Sequence, residues 1–221
     1  VSQSIVSRSI SEICILITRH LMPQYIKFPT TPVEKRNAKE KFFQKWNIKG
    51  ILGAIDGTHV EIIAPSVNDL EHPPYAYINR KGKHSINVML ICDADNIIVG
   101  INARYPGSVH DAAIWQISEI RNYLRTCYYN GDHALFLLGD SGYGQEPWLL
   151  TPYANFEDGS PEEQYNIIHK SARNVIERTN GILKSRFRCL SRHRVLNYHP
   201  AKAAYIIYSC SVLHNIAIKA K

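Results

Sequence analysis

The apolar residues of this chain change their spacing near Gly50. Before that point they recur at helical intervals, with Pro23 predicted to stop a first helix and a capping box at residues 31–34 to begin a second. After it, short apolar runs alternate with turn residues: GILGAID and HVEIIA are predicted to form one long or bulged strand, and SINVMLICD and NIIVGINARY the next two. The order from Gly50 onward is strand, strand, strand, helix, strand, helix, helix. This order predicts an α/β fold in which helices pack on a mixed sheet.

The predicted elements divide the chain into a helical N-terminal segment, residues 1–47, and a sheet-containing domain, residues 48–221. A hydrophobic content of 45% over 221 residues suffices for one large core. The chain begins without Met and inside a predicted helix, so we expect it to be a piece of a longer protein. No stretch reaches the ~20 apolar residues of a membrane span, and no secretory signal is evident, so we expect no membrane association.

The five cysteines are widely spread along the chain and form no CxxC pair. An odd number of scattered cysteines is typical of reduced thiols in the cytosol or nucleus. This usage predicts no disulfide framework and no structural zinc.

Three acids stand in three different settings along the predicted order. Asp56 ends the buried run ILGAID, Asp140 follows the buried run HALFLLG, and Glu177 lies on an amphipathic helix. Carboxylates brought together from strand ends and a helix can hold divalent cations. Two such cations about 3.5–4 Å apart can clamp the attacking and leaving oxygens of a phosphodiester displacement. Metal-dependent cleavage of nucleic acid is therefore the first hypothesis.

Each of these acids also has a simpler interpretation. Asp56 precedes Gly57 in a pair that is typical of turns, and Asp140 could be an ordinary loop residue. Glu177 could form a surface ion pair with Arg173, worth roughly 0.3–0.5 kcal/mol. Taken singly, none of the three acids is a specific signal.

Other acids near these runs are assigned local roles. Asp111 is the fourth residue of a predicted capping box that begins at Ser108 and opens a helix to about residue 127. We therefore expect its carboxylate to accept from the Ser108 amide rather than to bind a metal. Asp93 and Asp95 are predicted to lie in the β-hairpin turn around Ala94.

His59 and Ser141 have both functional and structural interpretations. His59 could orient a catalytic group, but we favour a core histidine whose hydrogen bonds are satisfied. GDSGYG resembles a serine nucleophile motif, yet position 143 is Tyr where the nucleophile elbow G-x-S-x-G needs Gly. Ser141 is therefore predicted to be a loop hydroxyl.

Positive charge is concentrated in the segment 170–194, which has eight Lys or Arg residues and one acid, Glu177. A charge run is commonly a solvated helix face, but this cluster also favours a phosphate backbone as partner. Helical spacing puts Arg173, Glu177, Asn180 and Lys184 on one face. The residues predicted to contact DNA are Arg173, Lys184, Arg186 and Arg188.

Several motifs of the chain, in this order, resemble those of the PIF/Harbinger (IS5-like) DDE transposases. They are IDGTHV, NRKGKHSINVMLICD, YPGSVHDAAIW, LLGDSGYG, VIERTNGILKSRFRCL and VLHNI. The resemblance runs from about residue 48 to the C-terminus and extends to the domesticated, transposase-derived nucleases of animals. The N-terminal VSQSIVSRSI resembles the recognition helix of the helix-turn-helix that precedes this domain in the family.

The resemblance implies an RNase H-like catalytic domain and a hydrolase of the DDE nuclease type. It implies that Asp56, Asp140 and Glu177 are the catalytic acids, that they hold Mg²⁺ or Mn²⁺, and that the substrate is DNA. It also implies a separate Myb-like DNA-binding partner and a location in the nucleus, with the cytoplasm as a second location. Self-association into a homo-oligomer stays open. The alternative is a catalytically silent domesticated transposase that acts as a DNA-binding or protein-interaction scaffold.

Overall fold

The computed structural model describes residues 2–191 and 194–220, so Arg192 of the basic segment lies outside the described residues. The strands are β1 Ile51–Glu61, β2 Ser85–Cys92, β3 Ile98–Pro106, β4 Phe136–Leu138 and β5 Leu149–Leu150. The α-helices are α1 Gln3–Leu16, α2 Met22–Tyr25, α3 Pro32–Trp46, α4 Asp111–Gln116, α5 Glu119–Tyr129, α6 Pro161–Arg186 and α7 Pro200–Lys219. Single turns of other helix types lie at Ile17–Leu21 (π) and at Pro74–Tyr77 and Arg188–Leu190 (3₁₀).

The first helix does not stop at Pro23. One π turn connects α1 to α2, in which Pro23 is the second residue, and the Met22 amide donates to the carbonyl of Ile17, five residues earlier. Proline has no amide hydrogen to donate to a helix, and the helix widens to a π turn just before it. The prediction that Pro23 ends the helix is therefore wrong.

α3 begins at the predicted capping box. The Thr31 hydroxyl accepts from the Glu34 amide, and the Glu34 carboxylate accepts from the Thr31 amide. The helix ends at Asn47, whose φ of 54° is left-handed, and its Phe42 is fully buried. The division of the chain at 47/48 stays a prediction.

The strands form one mixed sheet in the order β3-β2-β1-β4-β5. β1, β2 and β3 pair antiparallel, whereas β4 pairs parallel to β1 and β5 parallel to β4. This mixed sheet with its flanking helices confirms the predicted RNase H-like α/β fold. The sequence pattern misses β5 because two residues carry no periodicity.

The predicted hairpin turn between β2 and β3 is confirmed. Asp93 Oδ1 accepts from the amides of Asp95 and Ile97 at 2.8 and 2.9 Å, which closes the turn. Asn96 takes a left-handed conformation with φ of 62°. The side chain of Asp95 forms ion pairs with two lysines of α3 and so ties this turn to the N-terminal helices.

The sheet is covered on both faces. α6 and α7 pack on one face with residues such as Val88 and Leu90, while α4 and α5 pack on the other with Met89 and Ile91. The predicted single helix from 108 to 127 is two helices, because Ser118 caps a new start at Glu119. α6 begins, as predicted, at the Ser160 cap.

α7 is the most deeply buried helix, as its all-round apolar sequence predicts. Its Asn215 is fully buried and hydrogen-bonds to both the amide and the carbonyl of Ile98, so the helix is fastened to the edge strand β3. Among the described residues, no helix combines the length and the apolarity that crossing a membrane requires.

Candidate active site

Asp56 lies in the middle of β1, not at its end. The strand continues to Glu61, with Gly57 and Thr58 paired to Met89 and Val88 of β2. On the other side, β4 pairs with β1 only as far as Ala54 and Leu138. Because β4 stops there, Asp56 stands at an open edge of β1 that other groups can approach. The interpretation of Asp56 and Gly57 as a turn is therefore wrong.

Asp140 reaches this edge from the end of β4. It follows Leu138 by two residues, and its Oδ1 accepts from the Gly142 amide at 2.9 Å. A Cβ on Gly142 would lie 3.1 Å from that oxygen, so a glycine leaves room for the carboxylate. Asp140 is near enough to Asp56 for its charge to raise the pKa of Asp56.

Asp111 belongs to the same group of acids, contrary to the prediction of a capping role. The Ser108 amide donates to the carbonyl of Ala76, and α4 begins at Asp111 itself. Asp111 Oδ1 instead accepts from Asn87 Nδ2 at 2.6 Å, and the carboxylate lies directly over Gly57, where a Cβ would overlap it. The N-cap is His110 rather than Ser108, so the helix starts two residues later than the capping-box pattern indicates, and the Asp111 carboxylate is free to turn toward β1.

The electrostatics around Asp56 are dominated by burial and like charge. Burial raises the pKa of Asp56, the guanidinium of Arg173 lowers it, and the carboxylates of Asp140 and Asp111 raise it. The net result is a pKa of about 6. Three carboxylates therefore share one neighbourhood with one nearby guanidinium. Such an arrangement favours the arrival of additional positive charge.

α6 presents one face to β1, as its spacing predicts. Asn180 Nδ2 donates to Asp56 Oδ2 at 3.4 Å, and Lys184 Nζ donates to the carbonyl of His59 at 2.8 Å. Glu177 lies on the same helix three residues before Asn180, but its carboxylate is paired with Arg173 and its side chain is 53% exposed. Among the described residues, the oxygens of Asp56, Asp140 and Glu177 are not all within 4.8 Å of one another. The structure thus places Asp56, Asp111 and Asp140 in one neighbourhood, although their oxygens too are not all within 4.8 Å of one another among the described residues, and Glu177 lies alongside, held by Arg173.

Several buried polar atoms next to these acids have no hydrogen-bond partner within the described ranges 2–191 and 194–220. They are Asn87 Oδ1, Tyr143 Oη and Asn180 Oδ1. The pKa of Tyr143 is raised, first by burial and then by the charges of Asp111, Asp56 and Asp140. Carboxylate and amide oxygens are the ligands that Mg²⁺ and Mn²⁺ prefer. The residues present therefore fit a hard divalent cation.

The residues predicted to contact DNA are found in different settings. Arg173 pairs with Glu177, and Lys184 is half-buried against β1. Arg186 donates to the carbonyl of His214 at 3.2 Å and so helps to fasten α6 to α7. Arg188 is exposed.

A basic groove beside β1 was not assigned from the sequence. It runs past Gly57 and is lined by the cationic residues Arg80, Lys81, Lys83 and Lys184. Lys83 also pairs with Glu61 at 2.8 Å. The basic residues of this groove are visible in the segment NRKGKHS, but only the tertiary structure puts this loop beside α6.

Ser141 is the loop hydroxyl predicted, whereas His59 has a hydrogen-bond partner as predicted but lines the basic groove instead of lying in the core. His59 is half-buried, its Nδ1 is 3.0 Å from the Ser85 hydroxyl, and burial lowers its pKa. Ser141 is exposed in the turn after β4. Neither residue points to serine-hydrolase chemistry.

A model of the family described as DDE superfamily endonuclease matches residues 55–215. The chain belongs to this family. It is 33% identical over 220 residues to the human protein named "Putative nuclease HARBI1", an alignment that covers 99% of this chain and 60% of that protein. It is 26% identical over 199 residues to the Arabidopsis "Protein ALP1-like", which covers 85% of this chain and 48% of that protein.

These matches confirm the resemblance to the Harbinger transposases. The chain spans about 60% of the length of the HARBI1 proteins of human and cattle. No solved structure matches the chain.

Proposed function

We propose that this chain is the catalytic domain of a metal-dependent DNA endonuclease derived from a transposase. The observation that carries the proposal is the group of carboxylates at the open edge of β1, surrounded by buried polar atoms without partners. The reaction is hydrolysis of a phosphodiester bond; strand transfer would replace water by a 3′-hydroxyl at the same site.

Asp56, Asp140 and Glu177 would hold Mg²⁺ or Mn²⁺, and Asp111 stands next to them. When bound, the cations supply positive charge to the attacking and leaving oxygens of the phosphodiester. Glu177 must leave Arg173 to join Asp56, and an exposed helical ion pair of this kind costs only about 0.3–0.5 kcal/mol to break. The released Arg173 can then contact a phosphate of the substrate.

The DNA backbone would pass through the basic groove beside Gly57. Arg80, Lys81 and Lys83 line it from the loop before β2, and Lys184 lines it from α6. Arg173, Arg186 and Arg188 extend the positive charge along α6 and past its end. Phosphate contacts of this kind give affinity that falls steeply with salt and does not depend on base sequence.

The partners and the location follow from the Harbinger resemblance. We propose that a separate Myb-like protein supplies sequence-specific DNA binding and that the protein acts in the nucleus, with the cytoplasm as a second location. Homo-oligomerisation is part of the same proposal. Fluorescence microscopy of the tagged protein, with and without such a partner, tests the location.

The decisive variant is Asp140→Ala. We expect it to abolish Mg²⁺- or Mn²⁺-dependent cleavage of plasmid DNA while DNA affinity and the unfolding temperature stay close to those of the wild type. Asp158→Ala removes an exposed carboxylate from the loop before α6 and serves as the control, with full cleavage expected. Undiminished cleavage by Asp140→Ala would sink the proposal.

The pairing of Glu177 with Arg173 favours a second candidate, a scaffold that has kept the fold without catalysis. Titration of Mn²⁺ into the wild type and into Glu177→Gln separates the two. A nuclease should bind Mn²⁺ at the acids and lose affinity in the variant. A scaffold should show no specific Mn²⁺ binding at these acids, so its affinity should not differ between the two proteins.

A further inference from the structure

A second cluster of polar side chains joins the loop after β1 to the start of α7. It consists of Asp69, His72 and His199, whose ligand atoms all lie within 4.8 Å of one another. His199 Nε2 is 2.7 Å from Asp69 Oδ2, and His72 Nδ1 is 3.3 Å from the same oxygen. The two imidazole rings pack edge to face with their centroids 4.5 Å apart.

The backbone around the cluster orients each of these groups. Asp69 Oδ1 accepts from the amides of Glu71 and His72 at 3.1 and 3.0 Å, so Oδ2 is directed at the imidazoles. His199 is the N-cap of α7, and its Nδ1 accepts from the Ala201 amide, which leaves Nε2 facing Asp69. The hydrogen bond from His199 lowers the pKa of Asp69 to about 2, so this carboxylate is ionised at neutral pH.

We propose that Asp69, His72 and His199 bind a divalent transition-metal ion, with Zn²⁺ as the best match. Two imidazole nitrogens and a carboxylate oxygen are typical zinc ligands, whereas Mg²⁺ prefers oxygen alone. Bonds of about 2.1 Å at a tetrahedral angle put ligand atoms about 3.4 Å apart. The His72–Asp69 separation already meets this value. The His199–Asp69 separation of 2.7 Å must widen by about 0.7 Å to reach this value, and the His199 side chain is 48% exposed and has room to turn.

The ion would fasten two segments that are far apart in sequence. Asp69 and His199 are separated by 130 positions, and the nearby backbone link is the bridge between Ile62 and Leu196. The loop itself is weakly anchored, since its Leu70 is 94% exposed. The site uses no cysteine, so the cysteine-based prediction of no structural zinc did not address it.

Zn²⁺ titration into chelator-treated protein tests the site. His199→Asn keeps a good N-cap residue for α7, and His72→Phe keeps a ring against Tyr77. His20→Ala removes an exposed histidine of the N-terminal helices and is the control. We expect one Zn²⁺ per chain in the wild type and the control, and an affinity lowered by at least ~100-fold in both ligand variants.

Two further measurements use the intact ligand set. Co²⁺ should give the intense visible absorption of tetrahedral coordination, and Zn²⁺ should protect His72 and His199 from modification by diethyl pyrocarbonate. Asp140→Ala should bind Zn²⁺ like the wild type, which separates this site from the acids around Asp56. Zn²⁺ binding that persists in both ligand variants, or a wild type that neither binds nor is protected, overturns the proposal.

Discussion

The acids around Asp56 and the cluster around Asp69 differ in how their charges are balanced. Asp56 is half-buried, and this burial together with the neighbouring Asp140 and Asp111 raises its pKa to about 6. Asp69 accepts a hydrogen bond from His199, and its pKa is lowered to about 2. Asp56 lies among like charges that one guanidinium only partly offsets, whereas Asp69 accepts hydrogen bonds from an imidazole and from backbone amides.

The two sites therefore differ in whether their polar groups have hydrogen-bond partners when no ligand is bound. Around Asp56, buried oxygens of Asn87, Asn180 and Tyr143 have no partner among the described residues. Around Asp69, backbone amides and imidazoles occupy both carboxylate oxygens. We therefore expect removal of a charge among the acids around Asp56 to raise stability while it lowers activity. Substitutions in the cluster around Asp69 should affect stability and metal binding alone.

The largest effect is expected from filling the space over Gly57. The methyl group of Gly57→Ala would overlap the Asp111 carboxylate and displace it from Asn87. We expect cleavage to be lost and the free energy of unfolding to fall by about 1–3 kcal/mol, the usual cost of overpacking. Urea unfolding and plasmid cleavage measure the two effects. Gly144→Ala is the control, since its added methyl meets open space; equal losses in both variants would contradict the role of Gly57.

Asp56→Asn should stabilise the protein in the presence of a chelator while it abolishes cleavage. Because the folded-state pKa of Asp56 is raised from 3.8 to about 6, the penalty for its charge is fully present above pH 6. The penalty disappears as the pH falls below 3.8, where both states are protonated. We expect a gain of about 1–3 kcal/mol at pH 7, since one pKa unit corresponds to about 1.4 kcal/mol. Urea unfolding at pH 7 and pH 4 tests this, and a gain that is the same at both pH values is the result that counts against it.

Asp69→Asn should lower the stability of the protein, the opposite of the effect expected for Asp56→Asn. Because the folded-state pKa of Asp69 is lowered to about 2, its stabilising effect is present above pH 3.8 and is lost as the pH falls toward 2. The variant should therefore be less stable than the wild type at pH 5, and the difference should shrink in acid. Thermal unfolding of both proteins between pH 5 and pH 2 measures it. A variant as stable as the wild type at pH 5 would remove the contrast between the two clusters.

The smallest effect is expected from Arg188→Ala. Arg188 is exposed just after α6, so its loss should weaken DNA binding uniformly across sequences. The slope of the logarithm of the binding constant against the logarithm of the salt concentration should fall in magnitude by about 1. Fluorescence anisotropy at several salt concentrations gives the slope. Arg125→Ala removes the same charge from α5, on the opposite face of the sheet, and should leave the slope unchanged; equal slopes for the two variants would show that Arg188 contacts no phosphate.

Predictions that rest on local chemistry agree with the structure. The Thr31–Glu34 capping box starts α3, Asp93 closes the β2–β3 turn, and Ser160 starts α6. In each case the side chain satisfies backbone groups within a few residues, so neighbouring sequence contains all the interacting partners.

Predictions about strand ends and acids were less complete. The prediction of one long strand through GILGAID and HVEIIA is confirmed, and the alternative of a turn at Asp56 and Gly57 is wrong, because pairing with β2 carries β1 five residues beyond Asp56. The capping-box pattern at Ser108 misplaced the start of α4, because the Ser108 amide bonds instead to Ala76, a residue more than thirty positions away. Pairing and hydrogen bonds over such separations cannot be read from a local window.

The sequence by itself determined the strand and helix order apart from β5 and the division between α4 and α5, the RNase H-like fold, the family, and the three acids that carry the proposed chemistry. Tertiary structure alone decided that Asp111 stands beside Asp56 and that Glu177 is held by Arg173. It also decided that NRKGKHS borders α6 and that His199 meets Asp69. The physical reason is that periodicity and caps depend on neighbours along the chain, whereas the charge around a carboxylate depends on every group that folding brings near it.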